Sequence, residues 1–237
     1  LNASMFGIKK LQGIISIINE YGIEKGCNEV VEILRNIHEK VKRNPTNILT
    51  VLSDANALSE SLVTDSSFQN TQTNVPIFKN ETAWIIPAQV NYCAETYQGV
   101  NFFHDDAPKL SLLGAALRNG YLHTAIREKG GAYGAGAMHD SSSGVFKFFS
   151  YRDPNCRETF DEFQASINWI NNNLKQKHLD EAVLNVISSV DKPLSPVGEA
   201  KSDFYQNLNG INHQMRLVYR NKILNTSLQD LHEVADK

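Results

Sequence analysis

The chain has 237 residues, 41% of them apolar and 21% charged, and a formal net charge of −3. This is the make-up of a folded globular protein; it excludes a disordered, collagen-like or disulfide-dense chain and argues against a dedicated binder of nucleic acid or anionic membrane. No apolar run approaches the ~20 residues of a membrane span, and Cys27, Cys93 and Cys156 form no C-x-x-C pair.

Two amphipathic helices open the chain. Ile8, Leu11, Ile14, Ile15 and Ile18 mark one face of the first. Val30, Ile33, Leu34, Ile37 and Val41 mark one face of the second, with Gly22 and Gly26 between the two stripes. The sequence predicts a short buried strand over residues 48–52, a helix over 55–68 and a polar loop over 69–81. Ile86, Ala88, Val90 and Tyr92 alternate with Gln89 and Asn91, the period of a half-buried strand, and Pro87 gives it an edge or a bulge.

Asp105, Asp106, Ala107 and Pro108 read as a helix start, with acid at the N-terminus and proline in the first turn. The helix is predicted to run to Lys129 with Leu110, Leu113, Leu117 and Tyr121 on one stripe, to bend or split at Asn119 and Gly120, and to end at Gly130 and Gly131. Residues 132–139 and 145–152 form a predicted hairpin around residues 141–144. Asn155 is the predicted cap of the next helix, with Glu158 as its capping-box partner. Helices follow over 178–191, 199–224 and 227–237. This order favours an α+β fold with a mostly antiparallel sheet flanked by helices.

None of the histidines stands in H-x-x-H, H-E-x-x-H or H-x-x-E-H. His178 and Glu181 supply half of the inverted motif, but Ala182 occupies the second histidine position, so a helix-start histidine is the simpler account. His104, Asp105 and Asp106 suit a hard cation, yet the helix start explains the same acids. There is no G-x-S-x-G, and the cysteines read as buried thiols. Residues 130–136 (GGAYGAG) are glycine-rich but follow a helix and open a strand, the reverse of a phosphate cradle. Here Arg127 ends a helix and Tyr133 opens a strand six residues later. The two side chains can grip a peptide carbonyl or the oxyanion formed from it, while Gly134 and Gly136 leave a strand face bare for another backbone. A tight helix–strand junction with a charge suited to the helix dipole is the competing account.

Residues 122–137 (LHTAIREKGGAYGAGA) closely resemble a segment of the pitrilysin/insulinase superfamily of zinc metallopeptidases, and within it the presequence-peptidase branch. Residues 150–155 (SYRDPN), 188–193 (SSVDKP) and 86–92 (IPAQVNY) fit that branch in the same order. The resemblance implies a mitochondrial-processing-peptidase-like metallohydrolase fold. Residues 1–44 would be the helical end of a third domain, and residues 45–237 a fourth domain without its last strand. Zn2+ would sit in the N-terminal half of the same polypeptide, outside this chain, so no metal site is expected here. Arg127 and Tyr133 fall on the positions that reach across a chamber to the substrate, with Gly130, Gly131, Ala132 and Gly134 as substrate-binding neighbours. The implied activity is degradation of short unstructured peptides such as targeting peptides. The implied location is a mitochondrion or another organelle, or the cytoplasm of a bacterium. With Leu1 as first residue and no leader, the chain reads as a processed chain or a piece of a longer one. A non-catalytic scaffold of the same superfamily is the alternative, and a carbohydrate- or nucleotide-binding module has only the glycines in its favour.

Overall fold

The computed structural model describes residues 2–43, 81, 83 and 85–237. The chain divides into two compact units, Leu1–Val51 and Leu52–Lys237. In the first, α1 (Asn2–Tyr21) and α2 (Ile23–Arg43) form a hairpin of helices. Gly22, at φ +79°, makes the turn between them. A Cβ on Gly26 would lie 2.5 Å from the Ile18 Cα, so only glycine lets the two backbones approach so closely. Ile33, Leu34, Ile37 and Val41 of the α2 stripe are exposed in this unit. The strand expected over 48–52 and the helix expected over 55–68 lie outside the described residues.

The second unit is α+β, as expected. Its described strands are β1 (Asn91–Gln98), β2 (Gly134–Asp140) and β3 (Val145–Asp153), antiparallel throughout in the order β1–β3–β2. The hairpin β2–β3 stands where the sequence put it, and Gly144 takes φ +65° in its loop. The first strand requires a correction. Residues 85–90 are irregular, with Ile85 and Ile86 exposed, and pairing begins only at Asn91. Pro87 has no N–H to give a ladder, and the inward side chain is Cys93, not Tyr92.

One face of the sheet carries Cys93, Ala135, Ala137, Phe146 and Phe148 into a core shared with Leu112, Leu113, Leu117 and Phe163. Leu112, Leu113 and Leu117 come from α3 (Ala107–Leu117), which begins at the predicted helix start, with Asp106 in the N-cap position and proline in its first turn. Beside Asn119 and Gly120, where a bend or split is expected, the helix changes type at Arg118. It continues as a π-helical segment, Arg118–Lys129, hydrogen-bonded in i→i+5 register. Gly120 accommodates the Trp169 ring, which a Cβ would meet at 2.4 Å.

Five further helices are described in this unit: α4 (Arg157–Asn173), α5 (Gln176–Val190), α6 (Pro196–Leu208), α7 (His213–Asn225) and α8 (Leu228–Ala235). Two expectations change here. Cys156, not Asn155, occupies the N-cap of α4, because the Asn155 amide is engaged across the junction described below. The single helix expected over 199–224 is two helices, broken where Gly210 takes φ +76°.

His139 of β2 is buried between α3 and the chain entering it. Its Nε2 donates to the Val100 carbonyl at 2.8 Å, and its Nδ1 lies 3.4 Å from the Ser111 hydroxyl, which also bonds the Tyr219 hydroxyl at 2.9 Å. Burial holds the imidazole below its usual value of 6.5, against smaller opposing effects of the Val100 carbonyl and Asp140. A depressed histidine pKa means that the fold prefers the neutral ring. The stability it confers is present above pH 6.5 and is lost as the pH falls below that value toward the lower, folded pKa. The expected result is a thermal midpoint that drops on acidification below 6.5 and a shallower drop in His139→Gln, measured by calorimetry across the pH series.

Candidate active-site cleft

The junction between the π segment and β2 is closed by consecutive backbone bonds. Gly130 N–H donates to Ala125 O, Gly131 N–H to Arg127 O and Ala132 N–H to Ile126 O, each at 3.1 Å. Gly131 takes φ +82°, which lets the chain reverse from helix into strand within one residue. Ala132 is buried as the plug of the turn. From the far side, Asn155 Nδ2 donates to Gly130 O at 2.7 Å. Asn155 is fixed in turn by Asp153, whose Oδ1 accepts its N–H at 2.9 Å and whose Oδ2 accepts the Thr159 hydroxyl at 2.8 Å.

This junction brings Arg127 and Tyr133 to one cleft of about 670 Å³, lined also by His123, Glu128, Gly131, Ala132 and Arg152. Arg127 Nη1 donates to His123 Nε2 at 3.0 Å, and His123 Nδ1 lies 3.4 Å from Glu128 Oε1. That pair of partners assigns the proton to Nδ1. Tyr133 is 62% exposed. Its ring stands 5.4 Å from that of Tyr151, the Arg152 guanidinium lies 5.8 Å from its centroid, and its N–H donates to Arg152 O at 3.2 Å. No hydrogen bond holds the Tyr133 hydroxyl among the described residues. The cleft therefore offers a phenol donor and two guanidinium groups against one carboxylate, a setting for carbonyl oxygens and anions.

The glycines behave differently from one another. Gly130 and Gly131 form the turn, and Gly131 borders the cleft. The space at Gly134 is filled by the Tyr151 ring, 2.4 Å from where a Cβ would be, and that at Gly136 by Arg118 and Phe149. The strand face expected to stay bare for a passing backbone is thus occupied at these two positions by the chain's own side chains. His123 and Glu128 had a signal in the sequence, four residues before Arg127 and one after it on the same helix. Arg152 lies in the SYRDPN motif, but nothing in the sequence sets it beside Tyr133, since only the strand pairing does so.

The other candidates have structural roles. His178 Nδ1 accepts from Lys175 N–H at 3.0 Å and completes the α5 cap. Asp105 pairs with Lys222 at 2.5 Å and Asp106 with Lys237 at 2.7 Å, and the Lys222 ammonium holds the Asp105 carboxyl below its usual value. Of the three cysteines expected to be buried, Cys27 and Cys156 are exposed; burial pushes the Cys93 thiol up to about 11, which suits a packing thiol and not a nucleophile. Among the described residues, no group of three His, Cys, Asp or Glu stands close enough to hold a metal ion. No described helix is long and apolar enough to cross a membrane.

The family model described as PreP C-terminal domain matches residues 80–237. The mitochondrial presequence protease of Saccharomyces cerevisiae is 39% identical over 153 residues, which cover 64% of this chain and 15% of that protein. That of Danio rerio is 34% identical over 182 residues, 76% of this chain and 17% of that protein. The chain thus spans less than a fifth of the length of these curated relatives. Among solved structures, a protease from Helicobacter pylori matches with a TM-score of 0.55 at 22% identity, over 63% of this chain and 38% of that one. A peptidase M16 inactive domain from Pseudomonas fluorescens matches with a TM-score of 0.51 at 16% identity, over 63% of this chain and 37% of that one. At these identities the two structural likenesses show the fold.

Proposed function

Because the chain belongs to the PreP C-terminal domain family, we propose that it is the substrate-contacting C-terminal part of a zinc metalloendopeptidase that degrades short unstructured peptides such as targeting peptides. Residues 1–44 then close a preceding domain, and residues 45–237 are the last one. The relatives named above are described as mitochondrial presequence proteases, which supports the same substrate class and a mitochondrial location for the whole enzyme. The observation that carries the proposal is the meeting of Arg127 and Tyr133, both exposed, in one cleft.

The described residues do not fit a zinc ion, as the absence of a ligand cluster among them and the capping role of His178 indicate. The metal belongs to the N-terminal half of the same polypeptide. This chain's own contribution is to bind and to stabilise charge. Arg127 and the Tyr133 hydroxyl are donors for the scissile carbonyl, and they gain strength as that oxygen becomes an oxyanion. His123, bridging Arg127 and Glu128, limits the positions that the guanidinium can take.

The test is made on the purified chain, with and without the N-terminal half supplied in trans. The chain alone is expected to hold no stoichiometric zinc after dialysis and to leave an unstructured peptide intact, with cleavage appearing only when the other half is added. Peptide cleavage by the homogeneous chain alone that resists a chelator would overturn the proposal. So would one zinc per chain lost on mutating His178 or Glu181.

A further inference from the structure

Among the described residues, the Arg152 side chain makes no contact that calls for its backbone conformation beyond its place over the Tyr133 ring. Asn91 pairs with Asp153 and Tyr92 with Tyr151, so Arg152 faces no residue of β1 and is the extra residue of a bulge in β3. It is also the one described non-glycine residue with positive φ, at +49°. Glycine takes this left-handed conformation freely, whereas an arginine side chain brings steric cost and no conformational advantage. Bulges of this kind re-aim a side chain beside a site. Here the bulge turns the guanidinium over the Tyr133 ring and into the cleft.

Arg152 is exposed and makes no ion pair or side-chain hydrogen bond among the described residues, and the cleft's one carboxylate, Glu128, is engaged by His123. Asp153, next in sequence, points the other way and is fully buried on Thr159 and Asn155. These bonds anchor the residue after the bulge, so the backbone of Arg152 is set before any ligand arrives.

We propose that Arg152 is a binding residue for a carboxylate of the peptide, held beside the carbonyl gripped by Arg127 and Tyr133. The proposal rests on the function proposed above. Two sources of the carboxylate share this chemistry, the C-terminus of the peptide and an acidic side chain. A guanidinium suits either, through a charge-assisted, bidentate contact.

The experiment uses the full-length enzyme and three forms of one unstructured peptide with a single internal Glu: the parent, its C-terminal amide and its Glu→Gln variant. In the wild type, one of the two neutralised peptides is expected to show KM about tenfold above the parent, the loss of one hydrogen bond to a charged group. Which peptide it is identifies the source. In Arg152→Gly the KM of the parent rises to the same level, discrimination disappears and kcat is unchanged. Arg152→Lys restores part of the discrimination. Glycine is at ease at φ +49°, so the thermal midpoint of Arg152→Gly stays equal or rises, and weakened binding is not unfolding. Equal KM for all three peptides in the wild type, or discrimination that survives in Arg152→Gly, overturns the inference. Parallel kcat measurements on Tyr133→Phe separate the two levels. A normal kcat there defeats the underlying function, whereas a lowered kcat with intact discrimination in Arg152→Gly defeats the carboxylate site alone.

Discussion

Tyr133→Phe in the intact peptidase is expected to lower kcat by about 10²–10³ and to leave the thermal midpoint unchanged. The first half follows from the reaction proposed. Hydrolysis turns a neutral carbonyl into a tetrahedral oxyanion, and removal of one donor aimed at that oxygen typically costs ~2.7–4 kcal/mol in the transition state. The second half follows from this structure. The Tyr133 hydroxyl bonds nothing among the described residues, while the ring keeps its contacts with Tyr151 and Arg152 when the oxygen is removed. The substitution therefore has almost nothing structural to break. Arg127→Lys should also lose kcat, because it keeps a charge but not the planar fork that holds His123 and, in the proposed reaction, the carbonyl. If the pair served only to brace the helix–strand junction, Tyr133→Phe would have a near-normal kcat. Measuring kcat, KM and midpoint together for both variants decides between these outcomes.

Much of the fold was readable in the sequence because it depends on local chemistry. The Asp106 and Pro108 start of α3, the reversal at Gly131 and the loop at Gly144 each rest on a residue whose backbone preference fits one position. The errors occurred where a distant partner decided. Ile86, Ala88 and Val90 alternate correctly for a strand, but Pro87 and the bonds that Asn91 makes to Asp153 and Asn155 move the ladder downstream, and the inward parity changes with it. Asn155 looks like a helix cap until its amide is seen to reach Gly130, 25 residues earlier. Asn209-Gly210 is a turn dipeptide inside the helix expected over 199–224, and the chain breaks there. In the cleft, Arg127 and Tyr133 could be found because they are six residues apart around a glycine turn. Arg152 reaches Tyr133 only through the sheet, and no spacing in the sequence encodes a bulge.

The same turn supplies the largest expected loss of stability. Asp153 is fully buried, yet its carboxylate makes contacts on two sides: Oδ1 accepts the Asn155 N–H and Oδ2 the Thr159 hydroxyl. Its backbone carbonyl accepts from Asn91 Nδ2 at 3.1 Å, so one residue joins β1, β3 and the start of α4. Asp153→Ala leaves a buried hydroxyl and a backbone donor without their acceptor, each worth about 1–3 kcal/mol, and opens a small void. A total of about 3 kcal/mol or more corresponds to a fall of roughly 6–12 °C in midpoint for a domain of this size. Thr159→Val removes only one donor and should cost less than half as much. The consequence extends to the cleft, because Asn155, released from Asp153, no longer holds Gly130 O, and the Arg152 bulge loses its anchor. Below the midpoint, Asp153→Ala should therefore show a raised KM for peptide in addition to its thermal defect, whereas a core truncation such as Phe163→Leu, on the helix beyond the turn, should lower the midpoint without changing KM. A normal KM in folded Asp153→Ala would mean that the cleft is held by the Gly130–Tyr133 backbone bonds alone.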